Sequence, residues 1–139
     1  MLGNIVQAAG YHQDALRLAI KMQTIFGQAV AVGNLGMLAT LKGDYETART
    51  CYEQHLQLIQ VLQHPEAEVN AWKLLADVCF FDGSLVECTE NLEEARSVAA
   101  REGFMSELRR IHCLIGRARG LTEFANYRDV ILSDGDLQL

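Results

Sequence analysis

The sequence predicts an all-α fold of antiparallel helix pairs, each pair stacked on the next, and three observations lead there. Half of the 139 residues are hydrophobic and only one is proline, so there is material for a continuous core and little to break a helix. Apolar residues recur at helical spacing in paired segments, while period-two runs of Val, Ile and Thr are absent. Short glycine-bearing breaks separate those segments, and small residues return at fixed offsets along the chain.

Taken in order, the first expected element is a short helix over 2–9, broken at Gly10. Residues 13–26 make the next, with Ala15, Leu18, Ala19, Met22 and Ile25 on one face. Gly27 marks a corner and 29–41 forms a third helix. The stretch KGDY then turns the chain, with Asp44 placed to accept backbone N–H groups as an N-cap of a helix over 45–62. Pro65 suits a first helical position, where a missing N–H costs nothing, and opens a helix through Phe81. DGS ends it, Ser84 caps the helix over 85–102, and Gly103 closes that one. A helix over 105–119 stops at Gly120, Thr122 caps a last short helix to about Leu132, and 133–139 reads as a frayed tail. Eight helices thus form one domain over 1–132, in units of about 1–26, 27–63, 65–102 and 104–132. The opening MLGNIVQAAG carries a helical pattern already under way with no cap, which predicts a piece of a longer protein. It also predicts an exposed apolar edge that associates or meets neighbouring units.

Laid over one another, the units share a pattern. Leu35-Gly36 is followed by Gly43 and Ala48, and Leu75-Ala76 by Gly83 and Cys88 at the same offsets. Leu2-Gly3, Gly10 and Ala15 fit the same template, and Ile115-Gly116 begins a fourth unit with an early turn at Gly120. The unit starts are offset by 33, 40 and 40 residues. Glycine inside a helix costs about 1 kcal/mol relative to alanine, so close packing at Gly36 must compensate.

Trp72 with Leu75-Ala76, Leu35-Gly36, Gly43-Asp44-Tyr45, Ala48 with Tyr52, and Ala95 resemble the tetratricopeptide repeat family. The long spacing is similar to the subtype found in spindle-orientation, receptor-clustering and ciliary adaptor proteins. Ala76, Cys88 and His55 depart from the family's small-residue pattern, and the last unit has lost most of its second-helix signature. The resemblance implies a right-handed α-solenoid of about three and a half helix pairs. Its first helices would line a concave groove that holds a partner peptide. Carried over residue by residue, the groove positions are Asn4 and Gln7; Val30, Asn34, Met37 and Leu41; Asn70, Lys73, Asp77 and Phe81; and Arg110, Cys113 and Arg117. Asn34 stands out because an amide both donates to and accepts from a peptide backbone. Arg110 and Arg117 lie two turns apart on one face, and with Lys73 they favour an acidic partner. The plainer alternative is a basic face neutralised by Glu107. Of Phe80 and Phe81, one is expected in the core and the other facing a partner.

The remaining chemistry is read by exclusion. A net charge of −6 speaks against nucleic acid, which needs a basic surface, and no apolar run reaches the length of a membrane span. Four cysteines without a CxxC pair read as reduced thiols in a cytoplasmic setting; the resemblance adds a cytoskeletal or ciliary association. Cys51 and His55 are four apart but have no second ligand pair, so packing is the expectation and no metal or cofactor is implied. No nucleophile–base set or phosphate loop emerges, so the segment is expected to be a non-catalytic scaffold or adaptor. An architectural or self-associating segment of a larger assembly is the alternative.

Overall fold

The computed structural model describes residues 2–133. Over that span the chain is all-helical, with no strand among the described residues. The elements are α1 (Leu2–Lys21), α2 (Ile25–Leu41), α3 (Tyr45–Leu62), α4 (Pro65–Phe81), α5 (Leu85–Glu102) and α6 (Met105–Ser133). Connections of two or three residues return each helix along its predecessor, and each packs chiefly on the helices before and after it. Residues 134–139, and with them the rest of the expected tail, lie outside the described residues.

Local chemistry explains the helix ends. Asp44 Oδ1 accepts from the Thr47 amide at 3.2 Å, and the two Thr47 hydrogen bonds hold its carboxyl below the usual aspartate range. Pro65 takes the first helical position of α4, and His64 Nδ1 accepts from the Ala67 amide at 3.2 Å. Ser84 is the N-cap of α5 without a side-chain cap bond. Gly43 and Gly83 turn the chain at φ of 77° and 83°, in left-handed backbone that glycine adopts without penalty.

The spacing is regular. Helices α2, α4 and α6 begin at Ile25, Pro65 and Met105, forty residues apart, and α3 and α5 begin at Tyr45 and Leu85. Burial follows the same frame: Ala31, Ala71 and Ile111 are buried, as are Leu38, Val78 and Ala118, and Tyr52 and Leu92. The core is two clusters, one around α3 and α4 and one around α4, α5 and α6, and Trp72 packs against both.

Three expected breaks are absent. Gly10 sits inside α1, so residues 2–26 hold one helix and the start of the next instead of a pair. In the forty-residue frame α1 matches α3, not α2, which removes the 33-residue offset. Gly27 is inside α2 as a contact residue: a Cβ there would lie 2.7 Å from Thr24 Oγ1 and 3.0 Å from Ala19 Cβ. The turn before it is made at Gln23, left-handed at φ 57°. At the other end α6 runs through Gly120, and the Thr122 hydroxyl donates to the Ala118 carbonyl within the helix instead of capping a new one. The frame puts Glu123 and Phe124 where Gly43-Asp44 and Gly83-Ser84 stand. Without a left-handed glycine or a cap, continuing the helix is the lower-energy course.

Candidate functional site

Six of the nine expected partner-binding residues line two clefts on the same side of α4 and α6. The first, of about 580 Å³, lies between the N-terminal halves of these helices and includes Asn70, Lys73 and Arg110. Here Glu107 is the hub: Lys73 Nζ reaches its carboxylate at 3.2 Å and Arg110 Nη1 at 3.2 Å. The plainer alternative for this basic cluster therefore holds in part, since one carboxylate answers two of its three cations.

The second cleft, of about 630 Å³, lies between the C-terminal halves and includes Asp77, Phe81 and Arg117. Its walls are Ala76, Phe80, Leu114 and Leu121, with Leu92 of α5 at the base. The Asp77 carboxyl stands among these apolar groups, and desolvation raises its pKa against the opposing charge of Lys73 one turn earlier. No ion pair engages Arg117 among the described residues. An apolar slot with an unpaired acid and an unpaired guanidinium can hold an apolar side chain and orient its polar neighbours.

One of Phe80 and Phe81 is expected in the core, and that half of the expectation fails, because neither enters it. They are 45% and 56% exposed, pack edge to face at 6.1 Å, and Phe81 stacks on Tyr45 at 6.2 Å. Asn34 differs too. It is half-buried, and its Nδ2 lies 3.4 Å from His12 Nδ1 of α1, so the amide is engaged within the fold. Met37 and Leu41 remain exposed, at 48% and 66%, as does Val30. Of the other carried-over positions, Asn4, Gln7 and Cys113 are exposed. Sequence reasoning missed Phe80, Leu114 and Leu121 as cleft walls. The forty-residue frame carries that signal, since Leu41, Phe81 and Leu121 are equivalent.

His55 is accounted for by packing. Its Nδ1 lies 2.7 Å from the Ala29 carbonyl oxygen and its ring covers Gly33. No three His, Cys, Asp or Glu side chains gather as metal ligands among the described residues. Cys79 and Cys88 are buried, and burial pushes the Cys88 thiol up to about 11, which keeps it protonated and unreactive near neutrality. No helix among the described residues is long and apolar enough to cross a membrane.

No protein-family model matches the chain, and no curated protein matches it. Among solved structures it is similar to the crystal structure of BtubC (BKLC) from P. vanneervenii, with a TM-score of 0.68 at 19% sequence identity. The match covers 87% of this chain and 52% of that one, so the chain spans about half the length of BtubC. At that identity the likeness concerns the fold alone: this is an all-helical chain whose helices follow a path shared with BtubC.

Proposed function

We propose that the chain is a tetratricopeptide-like segment, a right-handed α-solenoid, that works as a non-catalytic adaptor and holds a partner peptide along the α4–α6 side. One observation carries this reading: Asn70, Lys73, Arg110, Asp77, Phe81 and Arg117, chosen from sequence as groove positions, line two adjoining clefts of the same pair of helices. An apolar slot beside a charged one suits a peptide with an apolar anchor and nearby acidic residues, which Arg117 and Arg110 would meet. Unpaired thiols are consistent with a cytoplasmic setting. Neither a cofactor nor nucleic acid is part of this reading.

The test compares peptide-pool capture by the parent and by the double variant Arg110→Glu, Arg117→Glu. Among the described residues Arg110 is paired only with Glu107 one turn away, and Arg117 is exposed, so the fold should survive, as circular dichroism will check. Acidic peptides with an apolar anchor should bind the parent in a salt-sensitive way and weaken by about tenfold or more in the variant, equivalent to about 1.4 kcal/mol. An unchanged peptide set on a folded variant removes the α4–α6 side as the site.

A further inference from the structure

Within this chain a hairpin contact has two unlike halves. In α2–α3 the first helix offers glycines and the second offers rings. A Cβ on Gly33 would lie 2.9 Å from His55 Nδ1, and one on Gly36 2.8 Å from Tyr52 Cε1 and 3.2 Å from Cys51 Cβ. Cys51, His55, Leu58 and Leu62 form one stripe of α3 at helical spacing, and all four are partly buried.

Moved back forty residues, that stripe falls on Tyr11, Ala15 and Leu18 of α1 and on Met22 just past its end. There it is open: Tyr11 is 66% exposed, Leu18 57% and Met22 65%, and Ala15 is exposed as well. Moved forward eighty residues, the ridge Gly33, Gly36 and Thr40 falls on Cys113, Gly116 and Gly120 of α6. These three are exposed, and a Cβ on either glycine would meet nothing within 4 Å. The two open faces are the two halves of the contact that α2 and α3 make with each other.

We infer that α1 of one copy docks on α6 of the next, head to tail, as α3 docks on α2. The occupant of the α1 stripe is thus a second copy of this chain. In that register Gly116 receives Tyr11 and His12 of the neighbouring copy, as Gly36 receives Cys51 and Tyr52, and Cys113 meets Ala15. The charged groups of α6 permit it. Arg119 is tied to Glu93 of α5 at 2.7 Å, and with His112 it lines a hollow on the α5 flank, beside the ridge. Arg109 takes the frame position of Ala29, which is buried beside His55 of α3, so its stem must lie along the docked α1 with the guanidinium reaching past it to water. Because the two faces differ, the contact does not close on itself: each added copy leaves one α1 and one α6 open, and the assembly lengthens with concentration. Of the ridge only Gly120 also lines an α4–α6 cleft, and Arg110 and Arg117 are not ridge positions, so this inference does not depend on the peptide-binding reading.

Sedimentation velocity of the chain from micromolar to near-millimolar concentration tests it. The weight-average mass should rise beyond twice the 15.5 kDa monomer. Leu18→Glu blocks the α1 end and Gly116→Leu the α6 end, both at exposed positions where the fold is indifferent. Each variant alone should remain monomeric, while an equal mixture should form a complex of two copies and nothing larger, since one intact face of each kind remains. A parent that stays monomeric throughout overturns the inference. So does an assembly that survives Gly116→Leu but not Leu18→Glu, which would mean that α1 pairs with α1.

Discussion

The α2–α3 and α4–α5 hairpins occupy the same forty-residue frame and solve one packing problem in opposite ways. In the first, the glycines are on α2, and Tyr52 and His55 of α3 press against Gly36 and Gly33. In the second, the frame sets Ala76 against Leu92, both buried in one core cluster, where Gly36 meets Tyr52. The bulk that Tyr52 supplies from α3 is shared in α4–α5 between Leu92 and the Ala76 methyl. At this crossing the frame holds the summed volume of the pair constant, not the identity of either residue. Close-packed interiors impose this, because added or missing methylene groups are both felt.

The largest expected effect comes from transplanting one solution into the other. Gly36→Ala alone drives a methyl into the Tyr52 ring, a strain of about 1–3 kcal/mol against roughly 1 kcal/mol regained in helix propensity. Tyr52→Leu alone leaves ring volume empty against a glycine and costs about 1–3 kcal/mol. Together they recreate the Ala76–Leu92 pair. Urea unfolding should therefore find the double variant more stable than the sum of the singles predicts, by about 1–2 kcal/mol. Strict additivity would break the comparison, since it would mean that the two hairpins do not share a volume constraint.

This volume rule also explains how much could be read in advance. The expected bounds of α3, α4 and α5 coincide with those observed, because Asp44, Pro65, the glycine turns and Gly103 mark helix ends through backbone chemistry that sequence states directly. Glycine has two roles, however. Gly43 and Gly83 are left-handed turns, whereas Gly27, Gly33 and Gly36 are contact surfaces in helices and Gly10 and Gly120 are neither. Composition does not separate these roles, so the sequence alone predicts breaks in α1 and α6 at glycines that do not turn. Gln23 and Gln63 turn the chain with left-handed backbone and no glycine signal at all. In the site, Lys73 and Arg110 were legible as neighbours because they share a helix face across one frame step. Asn34 was not, since its partner His12 lies on a helix that runs unbroken through Gly10.

The next effect is smaller and opposite in sign. Gly116 occupies the frame position of Gly36 and Ala76, but nothing lies within 4 Å of its missing Cβ. Gly116→Ala should therefore stabilise α6 by about 0.5–1 kcal/mol through helix propensity alone, a rise in thermal midpoint of a few degrees. Equal substitutions at equivalent positions would thus move stability in opposite directions. A destabilised Gly116→Ala would show that α6 is packed more tightly in solution than its open face implies.

The smallest effect concerns charge on the groove side, where Met37, Asp77 and Arg117 are equivalent. Partial desolvation against apolar walls raises the pKa of the otherwise exposed Asp77, so the folded chain holds this proton after the unfolded chain has released its own. Stability from this group is therefore highest below the ordinary aspartate range, falls as pH rises through the folded pKa, and stays lower at neutral pH. Asp77→Asn removes that slope. Because Asp77 is more than a third exposed and solvent screens its charge, near neutrality the variant should match or only slightly exceed the parent, and the difference should vanish in acid. Lys73 opposes the shift but is itself held by Glu107 at 3.2 Å, which is why burial prevails. A variant less stable than the parent at neutral pH would mean that the Asp77 charge is met inside the fold. The contrast with uncharged Met37 would then be structural and not a property left open to a partner.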